Sequence, residues 1–396
     1  MCGEFYDGRP FIEEVEICHE PEQPPYRPPS EAHSVLVRVT RGCAWNRCSF
    51  CGMYKRLRFE IRKPDDIERD LLSLRAFYPK ARSIFLADSD SLTHPKLPTV
   101  VESIRRIFPE AERITSYARL TTLRRLKPGR LRALREAGLT RIHAGLESGS
   151  EPILLRVRKG VRPEQAIEGG RRAIEAGFEL SLYVLSGLGG EDCWEDHATE
   201  SARVVRETWP HFLRLRSLVL LPGTPLSDEQ QAGTFRPASP LTRLREIRLL
   251  TEHLSHQKTS RDLAPSSHQA SSRRRAGACH GEDCPPALRE GEMRDDEIRN
   301  DEIGDGEIRG GEIRNDEIRG GEISEIEIAS DHFSNMVWAD REIIYGGING
   351  FLPADRQMLL RILDAAIEKA KTGQRVIDPG TIALRGKQFS LYGPAL

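Results

Sequence analysis

The sequence predicts an α/β fold, a partial (βα)6 barrel, from three observations. From Ser34 to about Pro225, short apolar runs alternate with amphipathic, Leu- and Arg-rich stretches of helical period, the pattern of repeated βα units around a parallel sheet. Six runs read as strands: Val35 to Thr40, Ser83 to Ala87, Arg113 to Tyr117, Arg141 to Gly145, Leu180 to Leu185 and Phe212 to Leu221. Each ends in small or polar residues, namely Gly42-Cys43, Asp88-Ser89-Asp90, Ala118-Arg119, Glu147-Ser148-Gly149, Gly187-Leu188-Gly189-Gly190 and Pro222-Gly223-Thr224. Such barrels build their active sites at the C-terminal ends of the strands, so these loops all fall on one face.

Taken in order, residues 1–33 form an N-terminal strap whose Pro21, Pro24, Pro25, Pro28 and Pro29 favour an extended, polyproline-like lead-in. Residues 34–254 form the barrel, closed by a helix from Leu241 to His253. Residues 255–329 are a low-complexity insert that runs into five-residue copies such as Asp296-Glu297-Ile298-Arg299-Asn300, continuing to Ile328. A period of five places successive Ile residues on neither one helical face nor one strand face, so disorder is the expectation. A square β-helix with five residues per coil is the alternative. Residues 330–396 form a helical C-terminal appendage, in which order resumes at Ser330 to Asn335 and a helix runs from Pro353 to Lys371.

Lys and Arg total 59 against 60 Asp and Glu, a net charge of −1, so no broad field draws in nucleic acid or a membrane. No stretch approaches the roughly 18 uninterrupted apolar residues of a membrane span. The eight cysteines are unevenly spaced, no secretory signal precedes them, and nothing reads as a disulfide framework. A reduced, cytoplasmic protein is expected.

Cys43, Cys48 and Cys51 put three thiols on one nine-residue loop directly after the first strand. Three thiolates can hold three irons of a [4Fe-4S] cube and leave the fourth open to a ligand that is not protein. Zinc is the other candidate, but it takes four ligands, usually as two spaced pairs. No second pair lies nearby, and Cys279 and Cys284 sit beside the repeat. Spacing favours the cluster.

The wider pattern of Gly42-Cys43 to Cys51, Gly145-Leu146-Glu147-Ser148-Gly149-Ser150, Lys159-Gly160 and Leu221-Pro222-Gly223-Thr224-Pro225 resembles the radical S-adenosylmethionine superfamily. It looks most like the branch of oxygen-independent coproporphyrinogen oxidase, the Elongator catalytic subunit and the methylthiotransferases. The resemblance covers roughly residues 34 to 254 and implies a TIM-like barrel. One departure is the four residues between Cys43 and Cys48, where three are commonest.

The resemblance implies an enzyme in which Cys43, Cys48 and Cys51 hold the cube and S-adenosylmethionine chelates its open iron. One electron, from a donor such as flavodoxin or ferredoxin, then cleaves the cofactor to methionine and a 5′-deoxyadenosyl radical, which acts on an unidentified substrate. The turn Ala87-Asp88-Ser89-Asp90 stands where relatives receive the cofactor's ammonium group, with Asp88 and Ser89 as the expected contacts; a helix N-cap is the structural alternative. Gly145 allows close backbone approach, Glu147 is the expected ribose contact with Ser148 beside it, and Lys159 matches the partner of the cofactor carboxylate. Phe50, like Trp45, covers the cluster or packs its loop. Ser116, Arg119, Tyr183 and Arg216 are candidates for the barrel mouth, with satisfied core polar groups as the alternative, and Cys193 reads as a small apolar filler, with a substrate-side thiol as the alternative. A non-catalytic iron-sulfur or zinc binding module is one alternative function, and a radical-based nucleic-acid modifying enzyme another, which the neutral charge disfavours.

Overall fold

A computed structural model describes residues 26–254, 325–330, 335–340 and 342–378. Its main sheet has eight strands: β1 (Val35–Arg38), β2 (Ser83–Ala87), β3 (Arg113–Ala118), β4 (Arg141–Glu147), β5 (Glu179–Ser186), β6 (Phe212–Ser217), β7 (Ile326–Ala329) and β8 (Asn349–Leu352). They lie in sequence order, with β1 to β7 parallel and β8 antiparallel to β7. The helices are α1 (Pro64–Phe77), α2 (Leu97–Ile107), α3 (Leu120–Arg125), α4 (Pro128–Ala137), α5 (Glu151–Arg156), α6 (Pro163–Glu175), α7 (Trp194–Thr208), α8 (Pro225–Gln231), α9 (Pro240–His253) and α10 (Arg356–Thr372). The predicted α/β fold with a parallel sheet is what the chain adopts.

Side-chain alternation divides the sheet into two faces. Ile84, Leu86, Ile114, Ile142, Ala144, Leu180, Leu182, Leu213 and Leu215 join the helix-packed core. Phe85, Tyr117, His143 and Tyr183 point to the other face and meet one another across four strands. The Phe85 and His143 ring centroids are 6.1 Å apart although β3 runs between their strands. Strands two places apart in a flat sheet lie about 9.5 Å apart. The sheet therefore presents a concave face, and these rings fill it.

Three expectations change. The last copies of the repeat are not a disordered segment: Ile326 and Ile328 are fully buried in β7, which pairs with β6 and gives the sheet a seventh parallel strand. In Ile326-Glu327-Ile328 the spacing drops from five to two, which lets both isoleucines share one strand face. Residues 255–324, with Cys279 and Cys284, lie outside the described residues. The C-terminal segment is mixed α/β, supplying β8 and a small sheet of Val337–Ala339, Glu342–Tyr345 and Val376–Ile377 besides α10.

Of the strap, residues 26–33 are described, and they form a turn of 3₁₀ helix at Pro29–Glu31 in place of an extended run. Ala32 N–H donates to Pro29 O, and Pro29 pre-sets the first φ. The turn delivers Glu31, fully buried, to the N-terminal end of the concave face, where Ser34, His143 and Arg113 donate to its carboxylate. Among the described residues no helix is long and apolar enough to cross a membrane.

Candidate active site

The loop after β1 is shaped before any chemistry is considered. Gly42 turns it with φ of +77°, and Asp88 at the end of β2 accepts from Gly42 N–H at 2.8 Å. Ser89 Oγ donates to Gly42 O at 3.0 Å. Farther along, Asn46 Nδ2 donates to Tyr54 O at 2.7 Å, and Ser49 exchanges backbone bonds with Val157 and Leu226. Trp45 Nε1 donates to Arg158 O at 2.8 Å, and the Arg119 guanidinium lies 4.7 Å from the indole centroid. The loop carrying Cys43, Cys48 and Cys51 is thus pinned at both ends and in the middle.

All three thiols are partly buried, and Cys43 lies close enough to Cys48 and Cys51 to raise their thiols. Burial raises the Cys48 thiol, against the pull of Lys159, and pushes Cys51 up to about 11. Among the described residues no three His, Cys, Asp or Glu side chains are grouped to hold a metal ion. The Tyr54 hydroxyl is buried without a hydrogen-bond partner and feels Cys43, Cys51 and Asp88. Three thiol donors on one pinned loop fit an iron-sulfur cluster with one open iron.

Across the mouth, at the end of β4, Lys159 Nζ donates to Glu147 Oε1 at 2.8 Å, with both side chains largely buried. Burial works against the Lys159 charge, yet Glu147 and Cys48 outweigh it and raise the ammonium's pKa. A Cβ on Gly145 would lie 2.1 Å from Glu147 Oε1 and 2.9 Å from Lys159 Nζ, so glycine is what leaves room for this pair. Glu147 itself has φ of +67°, at a break in the β4–β5 register. A non-glycine residue stays in that region only when its surroundings impose it.

The remaining predicted residues separate. Cys43, Cys48, Cys51, Gly145, Glu147 and Lys159 come together. Asp88 and Ser89 abut them but spend their side chains on Gly42 and, for Asp88, on Arg38. Ser148 is fully buried and bonds His197. Phe50 packs beside Ile153, Val157, Leu188, Leu218 and Phe235, and Cys193 joins the same apolar cluster. Tyr183 and Arg216 line the concave face 5.6 Å apart, and Arg119 Nη2 donates to Lys159 O. Ser116 does not face the mouth: it shares the helix-packed row of Ile114 and Ala118, because the strand's period of two puts it there.

Sequence reasoning missed Tyr54, His197 and Glu246. Asp90 is fully buried, its carboxyl pushed up to about 6 by desolvation, and it accepts from Thr122 Oγ1 at 2.5 Å rather than capping the turn that follows. Tyr54 had one signal, its place three residues after Cys51.

Residues 37–199 match the family model described as the Radical SAM superfamily. A curated relative, the heme chaperone HemW of Bacillus subtilis, is 23% identical over 158 residues, 39% of this chain and 41% of that protein. The chain thus spans about two fifths of that relative's length. Similar solved structures include methylornithine synthase PylB, with 18% identity, TM-score 0.42 and coverage of 56% of this chain and 63% of that one. Coproporphyrinogen III oxidase HemN from Escherichia coli has 19% identity and TM-score 0.42, covering 56% and 52%. Elp3 of Methanocaldococcus infernus has 12% identity and TM-score 0.37, covering 55% and 54%.

Proposed function

Residues 37–199 are a Radical SAM superfamily domain, and from that premise we propose that this chain is a radical S-adenosylmethionine enzyme whose cluster is held by Cys43, Cys48 and Cys51. The superfamily uses a [4Fe-4S] cluster and S-adenosylmethionine. The observation that carries the assignment to these residues is the pinned three-thiol loop facing the Glu147–Lys159 pair across the strand ends.

When bound and reduced by one electron from a donor such as flavodoxin or ferredoxin, the group supplies homolytic cleavage of S-adenosylmethionine to methionine and a 5′-deoxyadenosyl radical. The chain's own residues bind and shield. Cys43, Cys48 and Cys51 would hold the cluster by three thiolates, leaving it able to bind the cofactor's amino and carboxylate groups. Lys159 offers an ammonium to that carboxylate, Glu147 offers acceptors to ribose hydroxyls, and Gly145 keeps the space between them open. Carbonyls around Asp88 and Ser89 accept from the cofactor's amino group. Phe50 and its apolar neighbours exclude water on the cluster side. The substrate would enter at the C-terminal ends of the strands, beside the Glu147–Lys159 pair.

The test is anaerobic reconstitution with iron and sulfide, reduction with S-adenosylmethionine present, and assay of 5′-deoxyadenosine. Cys48→Ala should abolish both the visible absorption of the cluster and cofactor cleavage; cleavage retained in this variant overturns the site assignment. A relative named as a heme chaperone favours one second reading, a non-catalytic binding module. It predicts a cluster without cleavage in a demonstrably reduced sample.

A further inference from the structure

Behind the Glu147 loop lies a cluster of polar groups that the proposed chemistry does not use. Ser148 and His197 are completely buried and Glu246 is 1% exposed, although they come from the end of β4, from α7 and from α9. His197 Nδ1 lies 2.8 Å from Ser148 Oγ, whereas His197 Nε2, 3.4 Å from Glu246 Oε1, packs against that carboxyl without a hydrogen bond. Both Glu246 oxygens accept from Gly187 N–H, at 3.0 and 3.1 Å, in the loop after β5.

The proton positions follow from the partners. Ser148 Oγ accepts from Ser150 N–H at 3.1 Å, which leaves its own hydrogen for His197 Nδ1. Burial holds the imidazole neutral, with a pKa near 4, so its one proton sits on Nε2, which is buried without a hydrogen-bond partner. Burial also pushes Glu246 up to about 8. The neighbouring Arg243 opposes that shift but is itself paired with Asp378. A Ser-His-Glu arrangement invites comparison with nucleophilic triads, but a serine with no exposed surface meets no substrate.

α7 grips the same loop at two further points: Ser201 Oγ accepts from Gly149 N–H at 2.9 Å, and Asp196 accepts from Ser150 Oγ. Gly149 approaches so closely that a Cβ there would stand 2.1 Å from Glu200 O. The gripped residues immediately follow Glu147, whose left-handed φ needs an imposed surrounding. We propose that Ser148, His197 and Glu246 form a positioning relay, hydrogen-bonded from Ser148 to His197 and packed from His197 to Glu246, that holds the β4 loop against the β5 loop, aims Glu147, and so sets the site's affinity for S-adenosylmethionine. This rests on the cofactor reading above.

The experiment is titration calorimetry of the reconstituted full chain with S-adenosylhomocysteine, alongside iron content and melting temperature. Ser148→Ala and Glu246→Ala should weaken binding by about tenfold each, the equivalent of one buried hydrogen bond with its desolvation cost, at unchanged iron content. Glu246→Gln keeps an oxygen for Gly187 N–H and should bind within about threefold of the parent. If Glu246→Ala does not fold, the contrast between Ser148→Ala and Glu246→Gln still decides. Variants that lose melting temperature while binding like the parent would make the cluster merely structural and overturn the relay. A parent chain that takes up iron but binds no S-adenosylhomocysteine overturns the cofactor reading itself, and the relay with it.

Discussion

Glu31→Gln tests whether the strap is part of the barrel. The carboxylate has no exposed surface, and it receives Ser34 Oγ at 2.5 Å and His143 Nε2 at 3.1 Å, with Arg113 farther off at 3.4 Å and one third exposed. Burial works against its charge, but the hydrogen bonds from His143 and Ser34 more than offset it and hold the pKa below the usual glutamate range. His143 is pulled down by burial, so the pair is best described as an ionised Glu31 accepting from a neutral imidazole. Glutamine keeps the shape but loses the charge and turns an N–H₂ towards a donor. Two charge-assisted bonds at about 1.5–3 kcal/mol each, less the relief of no longer burying a charge, leave a net loss of about 2–3 kcal/mol. For a domain of this size that is a fall of roughly 5–10 °C in melting temperature. Because the folded pKa is depressed, the carboxylate's contribution is fully present above the unfolded value near 4.5 and fades as pH falls through the folded one. Anaerobic urea unfolding at pH 7 and at successively lower pH should therefore show parent and variant converging in acid. A difference below about 0.5 kcal/mol at pH 7, or one that persists undiminished in acid, would refute the reasoning.

Gly145→Ala should separate folding from cofactor binding. Its added Cβ meets only the movable ends of Glu147 and Lys159, so melting should change little while affinity for S-adenosylhomocysteine falls by calorimetry; equal affinity would remove the pair from the site. Ile328→Ala should cost about 2–5 kcal/mol in urea unfolding, as for a buried isoleucine truncated in a core, and a neutral result would place β7 outside the cooperative sheet.

How much of this was legible in the sequence depended on how local each signal is. The β2 strand was read residue for residue as Ser83 to Ala87, because an apolar run bounded by a charged residue and a polar turn is a local pattern. The cysteine loop was legible for the same reason: three thiols at short spacing announce their chemistry wherever they fold. β7 was missed because a repeat of five masked the point at which Ile326 and Ile328 fall two apart, and because some seventy residues separate it from the helix before it. Ser148, His197 and Glu246 were not legible as a unit, being 49 residues apart in each step, with no spacing rule to join them.

The concave face explains why alternation dominated strands that are covered on both sides. Parallel strands buried on two apolar faces read as continuous hydrophobic runs. Here one face packs on helices while the other carries Arg113, Tyr117, Arg141, His143, Glu179, Tyr183, Arg214 and Glu327. Polar groups on an inner face persist only if they are satisfied, and these largely satisfy one another: Arg141 with Glu179, Arg214 with Glu327, and His143 between Tyr183 and Glu31. The strap is the cap of that network at the strands' N-terminal end, and the Glu147–Lys159 pair is its counterpart at the C-terminal end. An inner face that closes on its own ion pairs and rings needs polar residues at every second position, and that is the physical content of the alternating pattern along these strands.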